Sequence, residues 1–249
     1  MPISKDFKSV LNKDFEINFM QCMPNGFLKY TELCNILQLT ASAHSEMGGI
    51  NFIDMQKDNQ AWVLSRMRVE IDTLPKWKDI ICVKTWICTL ENSRSVRGFY
   101  VFLNGKIIIR SETFWAVFNT KTRRPEALSL PHEHFEKFPE NRATNIPFSK
   151  INQDIFDDIA DFVLKKTVRL SDLDIVNHVN NIKYLEWCLD IADDDSILKQ
   201  DLKSFNMNFI KELSLNDIID LEKFETDDST FFSIKIDDKM SFALQLNWL

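Results

Sequence analysis

The chain has 249 residues, a formal charge of −7, 45% hydrophobic and 27% charged residues, a globular profile with room for one large domain or two smaller ones. Its five glycines, at positions 26, 48, 49, 98 and 105, exclude a G-x-S-x-G nucleophile elbow, a G-x-G-x-x-G dinucleotide loop and a P-loop. Residues 1–128 carry a net +4 and residues 129–249 a net −11, which excludes a long nucleic-acid face but lets the first half meet a small acidic partner.

Charges interrupt the N-terminal segment every few residues, so no secretory h-region forms, and no uncharged run reaches the roughly 18 residues of a membrane span. Cys22, Cys34, Cys82, Cys88 and Cys188 are odd in number and never spaced C-x-x-C. Reduced, buried thiols in a cytoplasmic protein are the expectation.

In chain order, a short strand is expected around 15–22, then a helix opening at K-Y-T-E-L-C (29–34). There Phe27, Tyr30, Leu33, Cys34, Leu37 and Ala41 recur at three-and-four spacing, and Leu28, Ile36 and Leu39 lie off that stripe. A helix apolar over most of its circumference is buried on several sides. Strands follow at 61–71, 79–91, 96–103 and 106–119, with Asn104-Gly105 a hairpin turn between the last two. The stretch 129–160, polar and carrying Pro131, Pro139 and Pro147, reads as a connection. Its His132-Glu133-His134 could in principle ligate a metal, but no other His or Cys stands close in sequence, so a solvated loop is expected, with no metal or cofactor.

The plan then repeats: a strand at 163–170, a helix around K-Y-L-E-W-C (183–188) with Ile182, Leu185, Cys188, Leu189 and Ala192 on one stripe, and strands at 203–213, 217–226, 229–236 and 240–248. Asp79-Ile80-Ile81 and Asp217-Ile218-Ile219 hold matching places. Strand, long central helix and several antiparallel strands imply an α+β architecture, a sheet wrapped around a helix, twice over. The domains read as 1–128, a connection at 129–160, and 161–249.

Superposing Lys29-Tyr30 on Lys183-Tyr184 sets Met20 against Asp174 and Pro24 against His178; superposing the Asp-Ile-Ile runs sets Leu74 against Glu212. The second copy thus holds two carboxylates and an imidazole where the first has none, as when one copy does chemistry and the other supplies pocket. Asp174 and His178 stand where a strand turns into a helix, and the first-turn amides near Val179 to Asn181 are expected to be open to a substrate carbonyl oxygen. Singly, Asp174 also fits a turn or cap, His178 a core histidine and Glu212 a surface charge; the three together point to chemistry.

The run S-D-L-D-I-V-N-H-V-N-N-I-K-Y-L-E-W (171–187) resembles the signature of the acyl-acyl-carrier-protein thioesterases of plant and bacterial type. Y-T-E-L-C-N-I-L-Q (30–38), R-M-R-V-E-I-D-T-L-P-K-W-K-D (66–79), V-K-T-W (83–86) and N-T-K-T-R-R-P (119–125) are similar to that family's first half. The resemblance implies a tandem double hot-dog, antiparallel sheets each wrapped around a central helix. It implies an enzyme that hydrolyses fatty acyl-acyl-carrier-protein to free fatty acid in fatty acid biosynthesis. The family's aspartate falls on Asp174 (base or nucleophile), its histidine on His178 and a downstream acid on Glu212, within N-F-I-K-E-L (208–213). Asn177, Val179, Asn180 and Asn181 would contact substrate, and Trp62 would lie in an acyl pocket of the first half.

Two positions depart from the pattern. Val176 stands where the family commonly has Asn, with Asn177 beside it, and Leu213 stands where many relatives carry Cys. A cysteine nucleophile is excluded at that position, leaving a carboxylate-and-water mechanism. The expected partner is acyl carrier protein, met by Lys121, Arg123 and Arg124, with the chain working as a monomer or homodimer and without membrane insertion. Two alternatives stay open: an acyl-CoA thioesterase of the same fold, and a non-catalytic acyl-thioester-binding protein, to which Val176 lends weight.

Overall fold

The β-branched and aromatic stretches form strands almost where the alternation places them. The computed structural model describes residues 3–249; Met1 and Pro2, the start of the N-terminal segment read above, lie outside the described residues. The chain divides into two units, Met1–Pro147 and Phe148–Leu249. The first holds β1 (Val10–Glu16), α1 (Tyr30–Met47), α2 (Phe52–Lys57), β2 (Gln60–Ile71), β3 (Ile80–Glu91), β4 (Arg94–Leu103), β5 (Lys106–Asn119) and the short β6 (Arg124–Pro125). The second holds β7 (Phe162–Thr167), α3 (Asn181–Leu189), α4 (Asp194–Lys199), β8 (Ser204–Phe209), β9 (Ile218–Glu225), β10 (Ser229–Ile236) and β11 (Lys239–Asn247).

The strand order is β1-β3-β4-β5-β2 in the first unit and β7-β9-β10-β11-β8 in the second, so the two share one topology. Every pairing inside either unit is antiparallel. Asn104 and Gly105 turn β4 into β5 with φ of 51° and 76°, the left-handed pair that a two-residue hairpin requires.

Helix α1 buries Tyr30, Leu33, Cys34, Ile36, Leu37, Thr40, Ala41 and His44, which at 3.6 residues per turn form one broad face, and leaves Leu39 exposed. The helix is thus covered on one side, and not on several as its apolar residues suggested. Buried His44 lies between two fixed partners: its Nε2 is 2.9 Å from the Lys8 carbonyl and its Nδ1 2.7 Å from a guanidinium nitrogen of buried Arg97. A carbonyl on one side and a cation on the other require neutral imidazole. Burial, and then the Arg97 charge, push its pKa down to about 3.

The second helix is not the long one expected. Helix α3 buries Ile182, Tyr184, Leu185, Trp187 and Cys188 but stops at its C-cap, Asp190, before Ala192. Asp193 then accepts the Ser196 N–H at 2.8 Å and starts α4. Short acidic side chains cap backbone amides better than they extend a helix, and the run Asp193-Asp194-Asp195 concentrates them. Sequence reading also missed α2, started by Asn51 accepting the Asp54 N–H.

Most of the stretch read as a connection packs into the first unit, which runs to Pro147. Phe135 is buried with Ile50, Met55, Ile87, Leu90, Val117 and Leu128. Farther on, buried Glu112 of β5 accepts from the Arg142 guanidinium and, at 2.7 Å, from the Ala143 N–H. Glu70 of β2 accepts the N–H groups of Asn145 (2.8 Å) and Ile146 (3.1 Å). Carboxylates and a ring hold this segment, features that its prolines hide from a composition-based reading. His132 and His134 face carbonyls, of Leu130 at 2.8 Å and Gly48 at 2.9 Å. All five cysteines are free thiols, and among the described residues no helix is long and apolar enough to cross a membrane.

Candidate active site

The segment after β7 closes into a tight turn before α3. The Asp174 N–H donates to the His178 carbonyl at 2.8 Å, and the Asn177 N–H to the Asp174 carbonyl at 3.1 Å. Asn177 takes φ of 64° there, a left-handed value Asn tolerates better than most residues. The Asp174 carboxylate stiffens the loop: Oδ1 accepts the N–H of Val176 at 2.9 Å and of His178 at 3.2 Å. One oxygen of the expected catalytic acid is therefore fixed by backbone, in addition to any chemical role.

The first unit contains the same turn with different side chains. Met23 N–H donates to the Phe27 carbonyl at 2.7 Å, Gly26 N–H to the Met23 carbonyl at 2.9 Å, and Gly26 has φ of 82°. Isolated bridges pair Cys22 with Leu28 and Leu173 with Val179, and the helix N-caps are Lys29 and Asn180. The counterparts of Asp174 and His178 are thus Met23 and Phe27. The match of K-Y-T-E-L-C to K-Y-L-E-W-C, which set Met20 and Pro24 there, runs three residues out of structural register, close to one helical turn. Leu74 does oppose Glu212, because Leu28 N–H donates to the Pro75 carbonyl as Val179 N–H donates to the Leu213 carbonyl, both at 2.9 Å. In the corrected register the first unit still lacks all three ionisable groups.

The fold brings His178 and Glu212 together: Nε2 and Oε2 are 3.5 Å apart, each side chain 30% exposed. That separation is ion-pair contact when the imidazole is protonated, and longer than a good hydrogen bond. Close to them lies Tyr184, which sequence reading counted only among the apolar residues beside the stripe of the second helix and gave no part in the site. Its hydroxyl accepts the Leu213 N–H at 3.1 Å. Burial is the main cause raising its pKa; the charges of Glu212 and Asp174 add to it, and the Leu213 bond works the other way.

The remaining expected contacts divide. Val179 N–H is bonded to Leu213 and Asn180 N–H to the Asp172 carbonyl at 2.9 Å. Neither amide can receive a substrate oxygen; the bridge and turn that set up the helix consume them. The Asn180 side-chain oxygen caps the Ile182 N–H at 3.0 Å, which leaves its NH2 as the donating end. Asn177 and Val176 are exposed on the turn, half-buried Asn181 opens α3, and Leu213 is fully buried. Trp62 lies on β2 of the first unit, half-buried against the cluster containing Phe135. Among the described residues no group of three His, Cys, Asp or Glu side chains is arranged to hold a metal ion.

Two family models cover both halves: the acyl-ACP thioesterase N-terminal domain over residues 8–136 and the acyl-ACP thioesterase C-terminal domain over residues 157–248. The chain belongs to the acyl-ACP thioesterase family. Its curated relatives include a chloroplastic dodecanoyl-[acyl-carrier-protein] hydrolase of Cinnamomum camphora, 28% identical over 221 residues, 84% of this chain and 58% of the relative. A chloroplastic palmitoyl-acyl carrier protein thioesterase of Arabidopsis thaliana is also 28% identical, over 231 residues, 84% of this chain and 54% of the relative. The chain thus spans little more than half the length of these relatives. Among solved structures, an acyl-ACP thioesterase from Bacteroides thetaiotaomicron VPI-5482 superposes with a TM-score of 0.81 at 24% identity, covering 97% of this chain and 98% of the other. The 12:0-ACP thioesterase from Umbellularia californica gives 0.77 at 22% identity, with the same coverages. These acyl-ACP thioesterase likenesses make the fold α+β, of hot-dog type.

Proposed function

We propose that this protein hydrolyses fatty acyl thioesters of acyl carrier protein, releasing free fatty acid and the carrier's thiol in fatty acid biosynthesis. The observation that carries the reading is the asymmetry of the repeat. Within a family whose two domain models both match, only the second unit puts an aspartate, a histidine and a glutamate around one turn and helix start. Water attacks the thioester carbonyl carbon, and its proton passes to a carboxylate, Asp174 or Glu212. The C–S bond breaks, the departing thiolate takes a proton from His178, whose imidazole Glu212 orients, and the proton taken up by the carboxylate returns to His178 to close the cycle. Asp174 suits the base role sterically, since backbone bonds already fix its Oδ1 and so set the direction of Oδ2. Asn180, through its NH2, is the donor we assign to the developing oxyanion in place of the occupied amides.

Trp62 and the apolar cluster under it are proposed to contribute to acyl binding in the first unit, and Lys121, Arg123 and Arg124, all exposed, to meet the acidic carrier. The five free thiols suit a reducing compartment, with the cytoplasm as our proposed location. The test is kinetic: purified protein offered matched acyl-carrier-protein and acyl-CoA thioesters, with thiol release followed. A clear preference for the carrier-protein substrate is expected; preference for the CoA ester, or retention of thioester without turnover, overturns the proposal.

A further inference from the structure

Tyr184 has no part in the chemistry proposed above. Its ring is fixed by three aromatic neighbours, with centroids at 5.2 Å for Phe242, 5.7 Å for Phe209 and 5.8 Å for Trp187. The hydroxyl therefore has a set position, where it accepts the Leu213 N–H. Leu213 is held from its other side by Val179 N–H on its carbonyl. The loop between β8 and β9 is tied near its start, where Ile210 and Lys211 N–H both reach the Ser241 carbonyl. Near its end Ser214 N–H donates to an Asp217 carboxylate oxygen at 2.8 Å. Glu212 sits between these ties, directly before the residue that Tyr184 holds.

The first unit supplies an internal control. In structural register Leu33 replaces Tyr184 and Pro75 replaces Leu213. Pro75 has no N–H to give and Leu33 no hydroxyl to receive one. The bond is thus absent as a pair from the unit that also lacks Asp174, His178 and Glu212, while the neighbouring carbonyl bond is kept in both. A tyrosine present only to fill the core would not need its partner changed with it.

We propose that Tyr184 is a positioning residue of this site: its hydroxyl, by holding the Leu213 N–H, fixes the carboxylate of the preceding residue, Glu212, against His178. A phenol that accepts one bond retains its own proton to donate. Burial and the nearby negative charges keep that proton in place. The inference rests on the hydrolase reading for its kinetic arm and on geometry alone for its spectroscopic arm.

The test compares wild type, Tyr184→Phe, Glu212→Gln and the double variant, with Tyr184→Phe keeping the ring and removing only the hydroxyl. With an acyl-carrier-protein thioester, Tyr184→Phe is expected to lower kcat about tenfold, with KM within twofold. The double variant should be no slower than Glu212→Gln alone, because both act through one carboxylate. The imidazole NMR signals of His178 and the exchange rate of the Leu213 amide should both change in Tyr184→Phe. Wild-type turnover in Tyr184→Phe, or losses that multiply in the double variant, overturns the proposal even if thermal stability falls. Should the wild type fail to hydrolyse any thioester, the hydrolase reading is lost. The positioning role is then decided by the NMR arm: unmoved His178 signals overturn it and displaced ones uphold it.

Discussion

Pro75 and Leu213 accept the same hydrogen bond, from Leu28 and Val179 respectively, each at 2.9 Å. This pair sets the register between the two halves of the chain, and every comparison of their side chains depends on it. In that register Asp174, His178, Tyr184 and Glu212 of the second unit correspond to Met23, Phe27, Leu33 and Leu74 of the first.

Asp174 has a conformational and a proposed chemical part, and two substitutions separate them. Asp174→Asn keeps an oxygen to accept the Val176 and His178 amides and should leave the melting temperature nearly unchanged. Its kcat/KM on an acyl-carrier-protein thioester should drop at least about 100-fold, the size of a lost general base. Asp174→Ala should lose the activity and in addition about 1–2 kcal/mol of stability with the two turn bonds. Thermal unfolding and steady-state kinetics on both variants check the division.

Gly48 ends α1 where the ring of Phe135 closes over it, so close that an added Cβ would overlap the ring carbons. Its backbone is ordinary, with φ of −84°, so the obstacle to a side chain is the ring. Gly48→Ala should therefore cost about 1–3 kcal/mol by overpacking. Denaturant melts should show the loss, and Gly48→Ala combined with Phe135→Leu should recover part of it.

His44 should make the first unit sensitive to acid. In the unfolded chain its imidazole binds a proton near pH 6.5, whereas in the folded chain it does so only near pH 3. Between these values the unfolded state holds the extra proton, so stability rises with pH across that window. The contribution is complete above pH 6.5 and lost as pH falls toward 3. From pH 6.5 to 5 this one group is worth about 2 kcal/mol. His44→Gln, which keeps a donor for the Lys8 carbonyl and an acceptor for Arg97, should flatten the urea-midpoint profile over that range. An unchanged slope would remove His44 as the cause.

Glu112 is wholly buried and holds both Arg142 and the Ala143 amide. Arg142 is partly exposed and can turn to solvent when Glu112 is lost, so the cost is that of leaving the buried Ala143 amide without its acceptor, about 1–3 kcal/mol. Glu112→Ala should thus destabilise the first unit by that amount and expose residues 141–146 to limited proteolysis before the sheet itself unfolds.

Much of the fold was legible because strands announce themselves by alternation and turn residues: β2 to β5 and β9 to β11 fall within a few residues of the expected ranges. The grouping of His178 with Glu212 was legible too, through the family resemblance and through what the sister copy lacks. The register of the repeat was not. Sliding one helix three residues along another keeps its apolar stripe roughly in place, so the letters of K-Y-T-E-L-C favour K-Y-L-E-W-C although the structure sets them against N-N-I-K-Y-L (180–185). The occupied amides of Val179 and Asn180, and the bond from Leu213 to Tyr184, depend on long-range backbone partners that no local pattern reveals. The early stop of α3 was written in its aspartates, but the apolar stripe running on to Ala192 outweighed them in the reading.

The proline at position 75 has a consequence for how the two halves diverged. Met23→Asp, Phe27→His and Leu74→Glu would return three ionisable groups to the first unit, yet the backbone there would still have no N–H with which to anchor the new acid. On the positioning role proposed for Tyr184, a second site of the same kind would require the proline and Leu33 to change together. On that proposal two coupled backbone and side-chain positions, and not the three absent ionisable groups alone, separate the first unit from the second.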